Sequence, residues 1–60
     1  MKIEQGKMYF VNGIKCICTN IYPDGDVEMT DYNNPNQVMF SHLSPKHQTL
    51  RPFKEEQPNE

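Results

Sequence analysis

Short stretches of alternating hydrophobic and polar residues run along this chain, and residues that favour turns separate them. Alternation with a period of two is typical of a strand that has one face against a core and the other in solvent. The pattern predicts five strands, at residues 7–11, 14–21, 27–32, 37–41 and 49–53. The strand residues that we expect to point into the core are Val27, Met29, Val38, Phe40 and Leu50.

The sequences between the predicted strands indicate how they connect. Asn-Gly at 12–13 favours the two positive φ angles of a type I′ hairpin turn. Tyr-Pro-Asp-Gly-Asp at 22–26 predicts a second hairpin, because Pro presets φ and Gly accepts a left-handed conformation. Residues 33–36 are a loop by composition, and residues 42–47 suit one 3₁₀ turn. Pro52 lacks a backbone donor, so we expect the last strand at a sheet edge.

Composition narrows the fold class to all-β. The 60 residues include no Ala, two Leu, five Pro and six Asn, so long helices are disfavoured. Five short strands with a 3₁₀ turn before the last one are typical of an SH3-like small barrel. We therefore expect an SH3-like barrel over residues 1–53 and a flexible acidic tail over residues 54–60.

One part of the chain resembles a known domain family. Residues 27–34, which read Val-Glu-Met-Thr-Asp-Tyr-Asn-Asn, are followed by Val38 and by Leu-Ser-Pro at 43–45. This order is similar to the end of a Tudor domain, in which an apolar strand, Asp-Tyr-Gly-Asn, another strand and a Leu-containing turn succeed one another. Asn33 stands where that family has Gly, and Asn also tolerates a positive φ.

The resemblance implies a function as well as a fold. Tudor domains hold methylated Lys or Arg in an aromatic cage, which needs about three or four aromatic walls around the cation. The motif match carries over Tyr32 and Asn34, and Tyr22 is a further candidate wall. A Tudor-like reader of methylated side chains is therefore one functional hypothesis.

The distribution of charge favours a protein partner. The net charge of −2 disfavours a dedicated nucleic-acid-binding protein, and four carboxylates within residues 24–31 have no base among them. Such a stretch suits a basic partner surface, and nearby aromatic side chains would supply affinity. The predicted protein-binding residues are Tyr22, Asp24, Asp26, Glu28, Asp31, Tyr32 and Asn34.

Nucleic-acid binding remains an alternative hypothesis. It would use the basic C-terminal stretch, in which Lys46, Arg51 and Lys54 contact phosphate. Exposed aromatic or long apolar side chains would then stack on bases. The candidates for outward-facing positions are Tyr9, Tyr22, Tyr32, Met39 and Phe53.

The two cysteines are best interpreted as packed, reduced thiols. Cys16 and Cys18 are separated by one residue, so on a strand both point to the same side, too far apart to form a disulfide. With His42 and His47 they contain the ligand types of a structural zinc site, which is the alternative interpretation. The single residue between the cysteines is shorter than zinc sites use, so we expect no metal and no cofactor.

The remaining features point away from catalysis and membranes. No Gly-rich phosphate loop or marked nucleophile occurs, so an enzyme is not expected. No apolar stretch approaches the roughly 18 residues that span a bilayer, which predicts a cytoplasmic protein. A short acidic chain of this kind resembles bacterial or phage accessory proteins that block or modulate a host factor. An adaptor or inhibitor is the corresponding hypothesis.

Overall fold

Five antiparallel strands form a single sheet in the computed structural model, which describes residues 2–53. The strands are β1 (Met8–Val11), β2 (Ile14–Ile21), β3 (Val27–Asp31), β4 (Asn34–Leu43) and β5 (Leu50–Pro52). Their order in the sheet is β4-β3-β2-β1-β5, so β4 and β5 lie at opposite edges and the sheet is not closed into a barrel. Over residues 2–53 there is no helix, and hence none that is long and apolar enough to cross a membrane. The predicted tail at 54–60 lies outside the described residues.

Both predicted hairpins are confirmed. Asn12 and Gly13 connect the paired residues Val11 and Ile14, and their φ angles are 52° and 82°. In the second hairpin, the Gly25 N–H donates to the Tyr22 carbonyl at 2.9 Å, and Gly25 has a φ of 97°. Local sequence therefore determines both turns, because each requires a left-handed residue at the position where Asn or Gly stands.

The prediction of a loop at residues 33–36 was wrong. Tyr32 and Asn33 alone make the turn, Asp31 pairs with Asn34, and β4 continues through Pro35 to Leu43. Asn and Pro indicated a loop, but a strand at a sheet edge tolerates both because one side of its backbone needs no partner. The ten residues of β4 face only five of β3, so the register shifts three times along the pair.

The predicted 3₁₀ turn at residues 42–47 was also wrong. His42 and Leu43 belong to β4, and the chain then makes two separate turns. In the first, the His47 N–H donates to the Ser44 carbonyl at 3.0 Å; in the second, the Leu50 N–H donates to the His47 carbonyl at 3.1 Å. The prediction that β5 is an edge strand is confirmed, since β5 pairs with β1 alone.

The core lies on one face of the sheet and differs in part from the predicted set. Val27, Met29 and Leu50 are buried as predicted, whereas Phe40 is half-buried against the core. Val38 was assigned to the wrong face, since it is 48% exposed. Shifts of register in β4 explain this error, because each bulge reverses the alternation of faces. The buried hydrophobic residues are Tyr9, Val11, Cys16, Cys18, Val27, Met29, Leu43 and Leu50.

Tyr9, one of the candidates for an outward-facing position, is part of the core, which is the alternative expected for most side chains of so small a domain. Its side chain is buried, and its hydroxyl accepts a hydrogen bond from the backbone N–H of Glu4 at 2.9 Å. A buried tyrosine needs such a partner for its polar end. Of the other residues predicted to face outward, Tyr32 is exposed, and the rest are half-buried: Tyr22, Met39 and Phe53.

The opposite side of the sheet, which we call the outer face, carries the strand residues that alternate with those of the core. Residues paired directly across neighbouring strands point to the same face. Phe10 pairs with Lys15 on β2 and with Arg51 on β5, while Ile17 pairs with Met8 and with Thr30. Thr30 is buried on this face, and its hydroxyl has no hydrogen-bond partner among the described residues.

Candidate functional site

A cluster of aromatic and acidic side chains lies where β2 turns into β3. Tyr22, Asp24 and Asp26 belong to the turn, Glu28 lies on β3, and His42 comes from β4. We call these five residues the acidic site. The rings of Tyr22 and His42 are stacked, with centroids 4.1 Å apart and an angle of 17° between their planes. This contact joins the predicted acidic turn to a residue 20 positions further along the chain.

Hydrogen bonds fix the carboxylates of the acidic site. The Asp24 carboxylate accepts from the backbone N–H of Asp26 at 2.9 Å, and the Thr19 hydroxyl donates to Glu28 at 2.7 Å. His42 Nδ1 lies 3.7 Å from Asp26 Oδ2, which is an ion pair when the imidazole is protonated but too long for a hydrogen bond. Within residues 2–53 no other oppositely charged side chains approach within 4.0 Å.

The electrostatics of the acidic site are strongly negative. Desolvation, followed by the negative charges of Glu28 and Asp24, raises the pKa of the Tyr22 phenol above its ordinary value. No Lys or Arg within the described residues forms a salt bridge with any of the three carboxylates. The site is therefore an aromatic stack surrounded by negative charge that the fold itself does not neutralise.

Asp24, Asp26 and His42 also have ligand atoms within 4.8 Å of one another. Carboxylate oxygens and an imidazole nitrogen are donors that several divalent cations accept. Asp24 and His42 are exposed, so water competes for both. Over residues 2–53, this is the one group of three or more potential ligands at such a spacing.

The zinc site that the sequence suggested as an alternative is not assembled. Cys16 and Cys18 are fully buried in the core, and desolvation raises the pKa of both thiols, which opposes the thiolate form that binds zinc. His42 lies in the acidic site, and the His47 ring is 2.8 Å from the Thr49 hydroxyl in the connection before β5. The cysteines are free, as expected for packed thiols.

The other residues of the predicted protein-binding surface lie at the opposite end of β3. Asp31, Tyr32 and Asn34 surround the β3–β4 turn, and the five residues of β3 separate them from the β2–β3 turn by about 13 Å. The predicted surface is therefore divided into two groups. Tyr22 and Tyr32 do not share one cage, as a Tudor-like arrangement of the predicted residues would require.

Lys15, which the sequence analysis did not single out, lies beside the second group. Its ammonium nitrogen is 4.0 Å from the centroid of the Tyr32 ring and 4.4 Å from that of Phe53. The Phe53 ring in turn lies 5.5 Å from that of Phe10. Together with Arg51, these residues form what we call the basic patch of the outer face: Phe10, Lys15, Tyr32, Arg51 and Phe53. The pairing of β1 with β2 and β5, together with the backbone hydrogen bond from Tyr32 N–H to the Lys15 carbonyl, brings them together, and no local motif indicates it.

The residues of the nucleic-acid alternative are not all in this patch. Arg51 belongs to it, and its Nη1 donates to the backbone carbonyl of Gln48 at 2.7 Å. Lys46 is exposed in the turn that follows β4, and Lys54 lies outside the described residues. Lys15 replaces them as the second cation beside the rings of the patch.

A groove continues from the basic patch around the end of β5. It has a volume of about 480 Å³, and its apolar lining consists of Met8, Tyr9, Pro52 and Phe53. Its charged lining consists of Lys2, Glu4 and Lys7. Phe53 therefore belongs to both the groove and the basic patch, which are parts of one continuous surface.

No family model, no curated protein and no solved structure matches this chain.

Proposed function

We propose that this chain is a small, non-enzymatic protein-binding domain that acts as an adaptor or inhibitor and holds a basic segment of its partner at the acidic site. The observation that carries this proposal is the Tyr22–His42 stack, with centroids 4.1 Å apart, among three carboxylates that have no Lys or Arg counter-charge in residues 2–53. Like charges held close together raise the energy of the folded state. A partner that brings positive charge relieves that cost.

The Tyr22–His42 stack contributes affinity that the carboxylates alone do not. Exposed charges mainly set association rate and specificity, whereas buried aromatic contacts carry most of the affinity. Tyr22 and His42 present a flat, fixed ring pair, and the planar guanidinium of an arginine stacks on such rings while it bonds to carboxylates. An Arg-containing segment therefore matches this site better than one that contains only Lys.

An SH3-like fold is part of the same proposal. Five short strands, and the return of β5 to the free side of β1, support it. The bulges of β4 support it as well, since they bend that strand as a small barrel requires. In this interpretation the domain is a barrel that is open between β4 and β5.

The experiment is a selection of displayed random peptides on the purified full-length protein, followed by titration of a selected peptide into ¹⁵N-labelled protein. We expect enrichment of Arg-containing peptides, with amide shifts that centre on residues 22–28 and His42. Asp24→Asn combined with Asp26→Asn should weaken binding at least tenfold at low salt, and Tyr22→Leu should weaken it about as much.

Asp31→Asn is the matched control, because Asp31 lies at the far end of β3 from the acidic site. It should change the dissociation constant less than about twofold. Enrichment of peptides without basic residues would refute the proposal. Equal loss of affinity in the control and in the double variant would refute it as well.

A further inference from the structure

We propose that the basic patch and the adjoining groove form a second binding surface, which takes single-stranded nucleic acid. The proposal concerns the opposite part of the sheet from the acidic site and does not depend on the function assigned to that site. It rests on three properties of the surface: segregation of charge, aromatic rings beside cations, and a groove that continues the patch. Of these rings, that of Tyr32 is exposed and those of Phe10 and Phe53 are half-buried.

Charge is segregated within the described residues. Of the six Lys and Arg in the chain, four border this surface: Lys2, Lys7, Lys15 and Arg51. One carboxylate, Glu4, lines the groove, and three of the others belong to the acidic site. Asp31 pairs with Cys16 and therefore lies on the core face rather than on the outer face. Among the described residues, positive charge therefore predominates on this surface.

The cations alternate with aromatic rings. Phe10 lies between Lys15 and Arg51 on three adjacent strands, which places the two cations about 10 Å apart across the sheet. The Phe53 ring lies 5.5 Å from that of Phe10, at the mouth of the groove. Proteins that bind single strands combine such a positive track for the phosphates with rings on which bases stack.

We expect Lys15 to occupy one position in the free protein and another when a strand is bound. In the structure its ammonium group lies against the faces of Tyr32 and Phe53, at 4.0 and 4.4 Å from their centroids. Contact between a cation and a ring at an exposed position is weaker than stacking of a base on that ring. A bound strand therefore draws Lys15 to a phosphate and places a base on the ring face that the ammonium leaves.

The same features favour a single strand over other anionic partners. Reading a duplex requires an element that enters its groove, and the patch is the broad face of a sheet with no helix in residues 2–53. An acidic peptide would neutralise Lys15 and Arg51 but would leave the rings of Phe10, Tyr32 and Phe53 without partners. Stacking is the contribution that a nucleic acid adds.

The experiment measures fluorescence anisotropy of a labelled oligothymidine of about 12 nucleotides with the full-length protein, over a range of salt concentrations. Oligouridine, a duplex of the same length and a glutamate-rich peptide are the comparison ligands. We expect saturable binding of both single strands at low salt, with at least tenfold weaker binding of the duplex and the peptide. Affinity should fall steeply as salt rises.

Variants separate the contributions of charge and stacking. Lys15→Gln combined with Arg51→Gln should weaken binding at least tenfold and reduce the salt slope by about 1.4, the value for two lost phosphate contacts. Tyr32→Leu should weaken binding several-fold without changing the slope. Lys46→Gln, which removes an exposed cation in the turn after β4, is the matched control and should change affinity less than about twofold.

Several results would overturn the proposal. They are no binding of either single strand at low salt, equally tight binding of the duplex, tighter binding of the acidic peptide, and equal loss of affinity in Lys46→Gln. If the double variant does not fold, the affinity of Tyr32→Leu and the salt slope of the unaltered protein still test the proposal. Asp24→Asn with Asp26→Asn should leave oligonucleotide affinity undiminished, so failure of the peptide-binding proposal and failure of this one are distinguishable.

Discussion

Met29 is the residue on which the packing of the sheet most depends. It is 0% exposed on the central part of β3, where it pairs with Cys18 of β2 and with Phe40 of β4. Met29→Ala should lower the free energy of unfolding by about 2 to 4 kcal/mol, because it leaves a cavity between three strands. That loss is a large fraction of the total free energy of unfolding of so small a domain. Urea unfolding followed by circular dichroism measures it.

Val38→Ala is the control for this prediction. Val38 pairs with Thr30 on the outer face and is 48% exposed, so its truncation should change the free energy of unfolding by no more than about 0.5 kcal/mol. Comparable destabilisation by the two substitutions would mean that the outer face is packed as the core is. A neutral Met29→Ala would contradict the placement of the core itself.

At the residue scale, sequence predicted burial only where strand alternation is regular. Val27, Met29 and Leu50 follow the period of two and were assigned to the correct face. Val38 was assigned to the wrong face, because the bulges of β4 reverse the alternation and nothing in the sequence indicates where they occur. Tyr9 alternates with the buried Val11 on β1, so its burial follows the same period of two, and the hydrogen bond from Glu4 N–H satisfies its hydroxyl.

At the scale of elements, the β1–β2 turn offers a direct test of local sequence. Gly13 has a φ of 82°, and no atom outside its neighbours lies within 4 Å of the position that a Cβ would occupy. Gly13→Ala therefore adds backbone strain and no steric clash, and should cost about 1 to 2 kcal/mol of stability. Gly13→Asn should cost less, because Asn tolerates the left-handed region. Chemical denaturation measures the free energy of unfolding of the unaltered protein, Gly13→Ala and Gly13→Asn.

An equal loss in the two Gly13 variants would show that the side chain rather than the backbone angle destabilises the turn. The two hairpin turns were the elements that sequence predicted best, since each depends on two to four adjacent residues. The extent of β4 was predicted worst, because its pairing with β3 overrides the turn preferences of Asn34 and Pro35. The two turns before β5 replace a 3₁₀ turn for the same reason, as β4 continues through His42 and Leu43.

At the scale of the whole molecule, the topology determines which functional residues meet. Tyr22, Asp24, Asp26 and Glu28 are close in sequence, so local reasoning grouped them correctly. His42 joins them only because the bulged β4 returns along β3, and Lys15 reaches Tyr32 and Phe53 only across the sheet. A single sequence contains no local signal for contacts of this kind. The contact of His42 with Tyr22 and that of Lys15 with Tyr32 and Phe53 therefore became visible only in the structure.

The separation of the cysteines from the histidines leads to a prediction about metal. A structural zinc ion held by Cys16, Cys18, His42 and His47 would require both sulfurs to leave the core, where they are fully buried. It would also require His42 to leave the stack with Tyr22. A structural zinc site contributes its binding energy to folding, so removal of a bound zinc ion would lower the thermal unfolding midpoint. We expect the thermal unfolding midpoint to be the same with EDTA, without additive and with equimolar zinc.

Two variants make this measurement specific. His47→Gln removes a proposed ligand outside the acidic site and should leave the midpoint nearly unchanged in all three conditions, since His47 contacts only its own turn. Cys16→Ala should lower the midpoint through lost packing, and by the same amount with and without EDTA, because the thiol acts as a small buried hydrophobic group. A midpoint that falls by many degrees in EDTA and is restored by zinc, together with loss of that response in both variants, would instead establish the four-ligand site. Under that outcome the sheet would have to rearrange so that both sulfurs leave the core, where they are fully buried in this structure.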